Sequence, residues 1–145
     1  MSVRRRIPDI PVDYINRLAI LGMVYDGSPP IRRVVVVEAR SDGLAVTYEG
    51  SSTRPVGCND YFIVELRRLR RLERDVRKKV ELALNALADR HMLYVDPGSK
   101  KEVSIITLTK DFMYIISRDE NGAYQHVITP NCLSYLFIKV APHGC

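Results

Sequence analysis

The sequence of 145 residues has no apolar run long enough to cross a membrane. Its longest apolar stretches, residues 18–25 and 34–37, are far shorter than the roughly 20 residues that a spanning helix requires. The basic start, Met1–Arg6, is followed by Pro8 and Pro11 rather than by the apolar core of a signal peptide. We therefore expect a cytoplasmic protein that has no membrane partner.

Cysteine and histidine, the usual ligands of structural zinc, are scarce. The three cysteines, Cys58, Cys132 and Cys145, form no Cys-x-x-Cys pair, and no histidine lies at ligand spacing from another histidine or a cysteine. Glycine-rich phosphate loops and nucleophile-elbow motifs are also missing. The sequence therefore predicts no metal site, no cofactor and no catalytic residues. We expect reduced thiols, with one disulfide as the alternative in an oxidising or hyperthermophilic cell, and a free, dispensable Cys145.

Glutamine is nearly absent, whereas arginine is abundant. Gln125 is the one glutamine, and 16 of the 22 basic residues are arginine, which favours a heat-adapted source. The alternative is that base composition enriches arginine through codon usage; an archaeal or viral source is expected if the protein is a structural module. With 17 acidic residues the net charge is +5, and the isoelectric point is about 9.2. A basic chain of this size suits a nucleic-acid partner. The alternative is that the charge only keeps a small domain soluble.

The hydrophobic pattern predicts an α+β fold in one domain, residues 12–145, preceded by a flexible basic arm, residues 1–11. Apolar residues at helical spacing indicate an N-terminal helix over residues 12–25. An unbroken β-branched run and an Asp-Gly turn then predict a β-hairpin over residues 31–49. No internal repeat is evident.

Residues 60–92 carry the longest helical pattern, with apolar residues three and four positions apart. No glycine or proline interrupts this pattern, so the segment is expected to be one helix of about 30 residues or two helices with a turn near Glu73–Asp75. Strand patterns separated by turns follow from Met92 to Val140, and they predict a C-terminal antiparallel meander.

Most of the positive charge lies in one part of this helical segment. From Glu65 to Glu81, eight basic residues stand against four acidic ones, so +4 of the net charge of +5 is local. The basic residues are Arg67, Arg68, Arg70, Arg71, Arg74, Arg77, Lys78 and Lys79. Clustered cations bind DNA and RNA backbones because they release the counterions condensed on the phosphates. The alternative is a solvated helix face with pairs such as Glu73 with Arg77.

Residues 75–109 follow an order of segments that resembles the winged-helix DNA-binding superfamily. A helical pattern, Asp75–Leu87, is followed by a short strand pattern, a turn with a basic tip, Asp96–Glu102, and a returning strand, Val103–Thr109. The resemblance implies a recognition helix in the major groove and a wing beside it. It places Arg77, Lys78 and Lys79 on the recognition helix and Lys100 and Lys101 at the wing tip.

The favoured hypothesis is a small DNA-binding protein, a transcriptional regulator or an architectural protein, that binds duplex DNA as a homodimer. Its nucleic-acid-binding residues are expected to be Arg67, Arg70, Arg71, Arg74, Arg77, Lys78, Lys79, Lys100 and Lys101. Tyr61 and Tyr94 flank the basic helix and are the aromatic residues best placed to contact a nucleic acid. Two alternatives stay open: a structural or interaction module that oligomerises through the apolar stripe from Phe62 to Leu87, and a small RNA-acting enzyme of the toxin kind.

Overall fold

The computed structural model describes residues 12–50, 52–129 and 134–141. The expected basic arm, residues 1–11, lies outside this part of the chain. The elements, in chain order, are α1 (Val12–Ala19), β1 (Val24–Asp26), β2 (Val34–Arg40), β3 (Gly43–Tyr48), β4 (Thr53–Pro55), β5 (Tyr61–Glu65), a 3-10 helix (Arg67–Arg71), α2 (Arg74–Asp89), β6 (Leu93–Tyr94), β7 (Glu102–Leu108), β8 (Met113–Asp119), β9 (Gly122–Ile128) and β10 (Tyr135–Lys139).

The strands form two sheets in which all neighbours are antiparallel. Seven strands make the larger sheet in the order β1-β5-β10-β6-β7-β8-β9, and the smaller sheet has the order β2-β3-β4. One bridge, between Tyr25 and Arg33, joins β1 to the residues just before β2. The helix α1 packs against β2 and α2, and α2 packs against β7. Both helices therefore share one hydrophobic core with the two sheets.

The predicted fold class is wrong, because the chain is mostly β. The expected helix over residues 60–92 begins as strand β5, continues as the 3-10 helix and becomes α-helical only in α2. In β5, Phe62 and Val64 face the core and alternate with half-buried residues. Over so few residues this alternation also fits the spacing of apolar residues in a helix, so the pattern alone could not distinguish a strand from a helix. The turn expected near Glu73 exists, because Leu72 and Glu73 have extended backbone.

The two ends of the prediction also change. The N-terminal helix ends at Ala19, and residues 24 and 25, expected to be helical, belong to β1. The last strand, β10, does not extend the C-terminal meander but lies between β5 and β6 in the larger sheet. The hairpin expected over residues 31–49 is present as β2 and β3. The errors therefore concern β1, β5 and β10, strands that pair with distant segments, rather than the hairpins of neighbouring strands.

The chain consists of two units with the same order of elements, a helix followed by five strands. α1 and β1–β5 form the first unit, and α2 and β6–β10 form the second. The registers agree, because Val37 pairs with Val46 and, 69 residues further along both strands, Ile106 pairs with Ile115. The first hairpin strand of each unit also carries a bulge at the equivalent place.

The two units meet at the centre of the larger sheet. β5 and β10 pair antiparallel with Ile63 opposite Phe137, and each is flanked on its other side by the first strand of its own unit. An antiparallel pair of equivalent strands is what a two-fold axis through Ile63 and Phe137 produces. The units are therefore related by a pseudo-two-fold axis, and the expectation that the chain has no internal repeat is wrong.

In each unit an asparagine ties the helix to the first hairpin strand. The side-chain amide of Asn16 donates to the carbonyl of Val37 and accepts from its N–H, both at 2.8 Å. The amide of Asn85 makes the same two bonds with Ile106, at 2.9 and 3.0 Å. Each amide thus makes the two hydrogen bonds that a neighbouring strand would otherwise make with the backbone of this residue, which lies close to the bulge.

Candidate nucleic-acid interface

Four of the predicted binding residues lie on the 3-10 helix that connects the two units. Leu66, just before this helix, donates its N–H to the carbonyl of Ser134 at 3.0 Å, and Leu69 is turned into the core. With these two leucines buried, the other side chains of the short helix face water. They are Arg67, Arg68, Arg70 and Arg71, all exposed.

The remaining predicted cations of this segment lie on the first turns of α2. Arg74, Lys78 and Lys79 are exposed, and Arg77 is half-buried. The Nη1 atom of Arg77 donates to the carbonyl of Leu72 at 3.4 Å. The positive end of the helix dipole adds to the charge of these side chains. The structure therefore brings the predicted residues from Arg67 to Lys79 together at one end of α2.

Most of these cations have no side-chain partner among the described residues. No side-chain hydrogen bond or ion pair there involves Arg68, Arg71, Arg74, Lys78 or Lys79. Arg67 contacts Glu65 at 3.1 Å, with the arginine side chain exposed and the glutamate side chain mostly buried. Several cations elsewhere do face acids, as Arg33 faces Glu49 at 2.9 Å. Most of the positive charge of this segment is therefore not paired within the described part of the chain.

Several of these cations border an open groove. One part of it is lined by Leu21, Arg67, Arg68, Arg70, Arg71 and Leu72. The adjoining part also includes Leu21 and adds Arg17 of α1 and Lys79 of α2. We call this surface, together with the exposed Arg74 and Lys78 on the first turns of α2, the basic groove. Arg17 was missed in the sequence because only the packing of α1 against α2 brings it here.

The two lysines of the predicted wing lie away from the basic groove. Asn85 contacts Ile106, and Glu81 accepts a hydrogen bond from the N–H of Leu108 at 2.7 Å. Because the earlier residue of α2 contacts the later residue of β7, the two elements run antiparallel. The turn before β7 therefore lies near the C-terminal end of α2, and the basic groove lies at its N-terminal end. A helix of 16 residues separates these ends by about 24 Å.

Both of these lysines contact the hairpin of β8 and β9. The Nζ atom of Lys100 lies 3.4 Å from a carboxylate oxygen of Glu120. The Nζ atom of Lys101 lies 4.3 Å from the centre of the Tyr124 ring. The expected wing tip is thus part of the larger sheet and is not brought together with Arg67–Lys79.

The two tyrosines expected to contact a nucleic acid pack against other parts of the protein. Tyr94 is buried in the sheet with the Nζ atom of Lys139 4.1 Å from its ring centre, so its ring is not open to a base. Tyr61 is half-buried, with its ring 6.0 Å from that of Phe137 and directly against Gly27.

Groups suited to catalysis or metal binding are dispersed. His91 faces Glu102 at 2.7 Å, and His126 contacts the hydroxyl of Ser117 at 2.9 Å. The described residues hold no group of three or more side chains that could bind a metal ion. The α-helices of the described part are also too short or too polar to span a bilayer.

A buried ionic network, which the sequence pattern did not reveal, joins the smaller sheet to β1. Asp26 is 1% exposed and accepts hydrogen bonds from Tyr48, from Arg54 at 2.6 Å and from the N–H of Ser28 at 2.9 Å. Arg54 also pairs with Asp60 at 2.8 Å. Because these groups satisfy one another, the network stabilises the junction of strands and offers no unused group for chemistry.

The pKa values in this network follow from burial and pairing. Burial raises the pKa of Tyr48, and the hydrogen bond to Asp26 raises it further. Burial alone would raise the pKa of Asp60, but hydrogen bonds from Arg54 and from the N–H of Gly57 outweigh it and hold the pKa below its usual value. Tyr48 therefore stays protonated at neutral pH, and Asp60 stays ionised and paired with Arg54.

Cys58, in the loop between β4 and β5, belongs to a disulfide. The expectation of reduced thiols is therefore wrong for this residue. The sequence offers Cys132 and Cys145 as partners, and both lie outside the described residues. The expectation that Cys145 is free stays a prediction.

No protein family, no curated protein and no solved structure matches this chain. The arrangement of charges in the basic groove is therefore the basis on which a function is assigned.

Proposed function

We propose that this protein binds duplex DNA through the basic groove, as a small architectural protein or regulator. The observation that supports this function is the set of five cations whose side chains have no partner among the described residues: Arg68, Arg71, Arg74, Lys78 and Lys79. Cations held on one surface repel each other. The phosphates of a nucleic acid relieve that repulsion and release their condensed counterions at the same time, which drives binding.

The groups of the basic groove suit phosphates better than base edges. Beyond Lys79 the exposed face of α2 has no basic residue before Arg90, and it includes Leu82, which is 65% exposed. Phosphate contacts carry no base information, so we expect similar affinity for duplexes of different sequence. Base reading by Arg77 and a winged-helix arrangement with a clamp at the wing stay predictions.

The test compares two variants that change the net charge equally. Arg71→Glu with Arg74→Glu removes two unpartnered cations of the basic groove, and Lys100→Glu with Lys101→Glu makes the matched change at the other end of α2. Binding to a duplex of about 20 base pairs is measured by fluorescence anisotropy, with melting curves to confirm folding. The groove variant should bind about tenfold more weakly or worse, because it exchanges attraction for repulsion. The lysine variant should bind as the wild type does.

Each outcome of this comparison has a defined meaning. An equal loss of affinity in both variants would support the wing clamp of the winged-helix prediction. Full affinity in the groove variant would contradict the proposed function. The same series with single-stranded DNA and RNA, including an RNA cleavage assay, separates a duplex-binding protein from an RNA-acting one.

We further propose that two copies of the protein associate through the outer face of β7–β9. In the larger sheet Ile105 pairs with Ile116 and Tyr114 with Val127, so these apolar side chains project from one face. With Phe112 they are 37–53% exposed. The adjacent edge strand β9 contains neither lysine nor proline, the residues that commonly protect an edge from pairing.

The size of this patch agrees with part of a dimer interface. Five large side chains of this exposure offer on the order of 400 Å² if each has about 200 Å² of surface, which is about half of the roughly 800 Å² that each partner contributes to a stable interface. The patch carries no charge, so a second copy meets no repulsion there. Light scattering should show a dimer in the wild type and a monomer in Ile116→Lys with Val127→Lys. Val35→Lys, on the smaller sheet, should stay dimeric; a monomeric wild type would contradict the proposal.

The apolar stripe from Phe62 to Leu87 is not available for this association. Most of its residues belong to the core of the same chain: Phe62, Leu66, Leu69, Val80, Leu84 and Leu87 are all buried. An oligomer that formed through the stripe would require the fold to open.

A further inference from the structure

Two arginines from different elements converge on Gly22, in the turn between α1 and β1. A Cβ atom at Gly22 would lie 3.2 Å from Nη1 of Arg68 and 3.4 Å from Nη1 of Arg33. Gly22 is buried and has φ +74°, a conformation that side chains disfavour. The two guanidinium groups therefore occupy the space that a side chain at this position would fill.

In the second unit the equivalent position carries a side chain. His91 is the equivalent of Gly22, 69 residues further along the chain, and it also has a positive φ, of 61°. Glu102 is the equivalent of Arg33, and the two side chains contact each other at 2.7 Å. In the second unit a histidine and a carboxylate thus fill the site and satisfy one another.

The first unit differs from the second by a reversal of charge. Arg33 pairs with Glu49, whereas in the second unit the equivalent residues are Glu102 and Arg118, which are opposite each other on neighbouring strands. Where the second unit has an acid beside an imidazole, the first has a guanidinium beside a glycine. Into the resulting space the 3-10 helix places Arg68, which contacts no carboxylate of the described residues.

We propose that Gly22, Arg33 and Arg68 form a binding site for a single phosphate group, the phosphate clamp. Two guanidinium groups around one point repel each other, and an anion between them converts the repulsion into charge-assisted hydrogen bonds. Guanidinium groups offer planar, forked donors that match the oxygen atoms of a phosphate. The absence of a side chain at Gly22 leaves the room for these groups to meet.

The phosphate clamp opens beside the basic groove, because Arg68 lines both. It therefore deepens the proposed function and, for a nucleic-acid phosphate, rests on it: the clamp holds one backbone phosphate at a defined place while the other cations of the groove contact phosphates loosely. Such a contact sets the register of the protein on the duplex without reading a base.

The first test uses inorganic phosphate and pyrophosphate as probes, independently of DNA. Either probe should raise the melting temperature of the wild type and should do so much less in Arg33→Gln and Arg68→Gln. Arg40→Gln is the matched control, since Arg40 also lies near an acid, Glu38 at 3.9 Å, but far from Gly22 in the strand β2. Stabilisation by both probes that is unchanged in Arg68→Gln would overturn the clamp.

The second test is a double-mutant cycle on duplex DNA. If Arg33 and Arg68 hold the same phosphate, either single substitution should weaken binding about tenfold and the double substitution little more. Additive losses would show that they contact different phosphates and would overturn the clamp, as would losses no larger than that of Arg40→Gln.

The two proposals fail in different ways. Tight DNA binding with no effect of Arg33→Gln or Arg68→Gln would overturn the clamp and leave the proposed function in place. Binding of pyrophosphate that depends on both arginines, without any affinity for DNA, would retain the clamp and overturn the proposed function.

Discussion

The salt dependence of DNA binding can be calculated from the basic groove. Five of its cations have no partner in the described part of the chain, and each is free to neutralise one phosphate. The logarithm of the binding constant falls by about 0.9 for each neutralised phosphate per tenfold increase in salt, so one groove on a duplex should give a slope of about −4.5. Raising salt from 0.05 to 0.2 M should then increase Kd about 500-fold.

Removal of two of these cations should change the slope by a known amount. Arg71→Ala with Arg74→Ala leaves three of the five cations, so the slope should become shallower, about −2.7. The same change in salt should then raise Kd only about 40-fold. Both residues are exposed, so stability should change by no more than about 0.5 kcal/mol for each. Lys100→Ala with Lys101→Ala should retain the slope of the wild type.

Fluorescence anisotropy at five or more salt concentrations and constant pH measures these slopes. A wild-type slope shallower than about −2 would refute the assignment of the five cations to phosphates. A slope that the loss of Arg71 and Arg74 leaves unchanged would refute it as well, because the counterions would then be released by another surface.

Three further predictions concern the fold. Asn85→Ala should lower the free energy of unfolding in urea by about 2–4 kcal/mol, because it leaves both backbone groups of Ile106 without partners; a loss under about 0.5 kcal/mol would contradict this role. The lowered pKa of Asp60 means that its pairing with Arg54 stabilises the fold above the pKa of an unfolded carboxyl, about 4, and loses this effect as the pH falls through the lower folded value. Stability should therefore decrease more steeply below about pH 4 in the wild type than in Arg54→Gln, and parallel profiles would contradict the coupling. Reduction of the disulfide, or Cys58→Ser, should lower the melting temperature, and an equal drop in Cys145→Ser would show that Cys145 is its partner rather than free.

Features that depend on neighbouring residues could be predicted from the sequence. The Asp-Gly pair at residues 42–43 and the Asn-Gly pair at residues 121–122 mark the turns of two hairpins that the structure contains. Turn chemistry acts within a few residues and needs no distant partner. The placement of β10 between β5 and β6 depends on contacts across the whole chain, and no local pattern encodes it.

The internal repeat could not be recognised in the sequence because its two units share backbone geometry and hydrogen bonds more than residue identities. Residues 12–50 and 81–119 are identical at only seven of 39 positions. Among these are Asn16 and Asn85, which make the same two bonds to a strand. At the position of Gly22 and His91 only the positive φ is shared. Such equivalence becomes visible when the registers of the strands are compared.

The charge cluster was predictable, but its surroundings were not. The excess of arginine and lysine from Arg67 to Lys79 can be counted in the sequence, and the structure places these residues at one end of α2. Arg17 and Arg33 lie far from the cluster in the chain and join it only through the packing of α1 and the bridge beside β1. A basic groove is thus partly a property of composition and partly of tertiary structure.

The basic groove lies at the connection between the two units. The 3-10 helix is that connection, from β5 of the first unit to α2 of the second, and the described residues contain no equivalent helix after β10. Arg68 comes from the connection, and Gly22 and Arg33 come from the first unit. In the second unit the equivalent residues, His91 and Glu102, contact each other. The pseudo-symmetric fold therefore provides the same backbone position twice, and only in the first unit do a glycine and an arginine at this position meet an arginine of the connection.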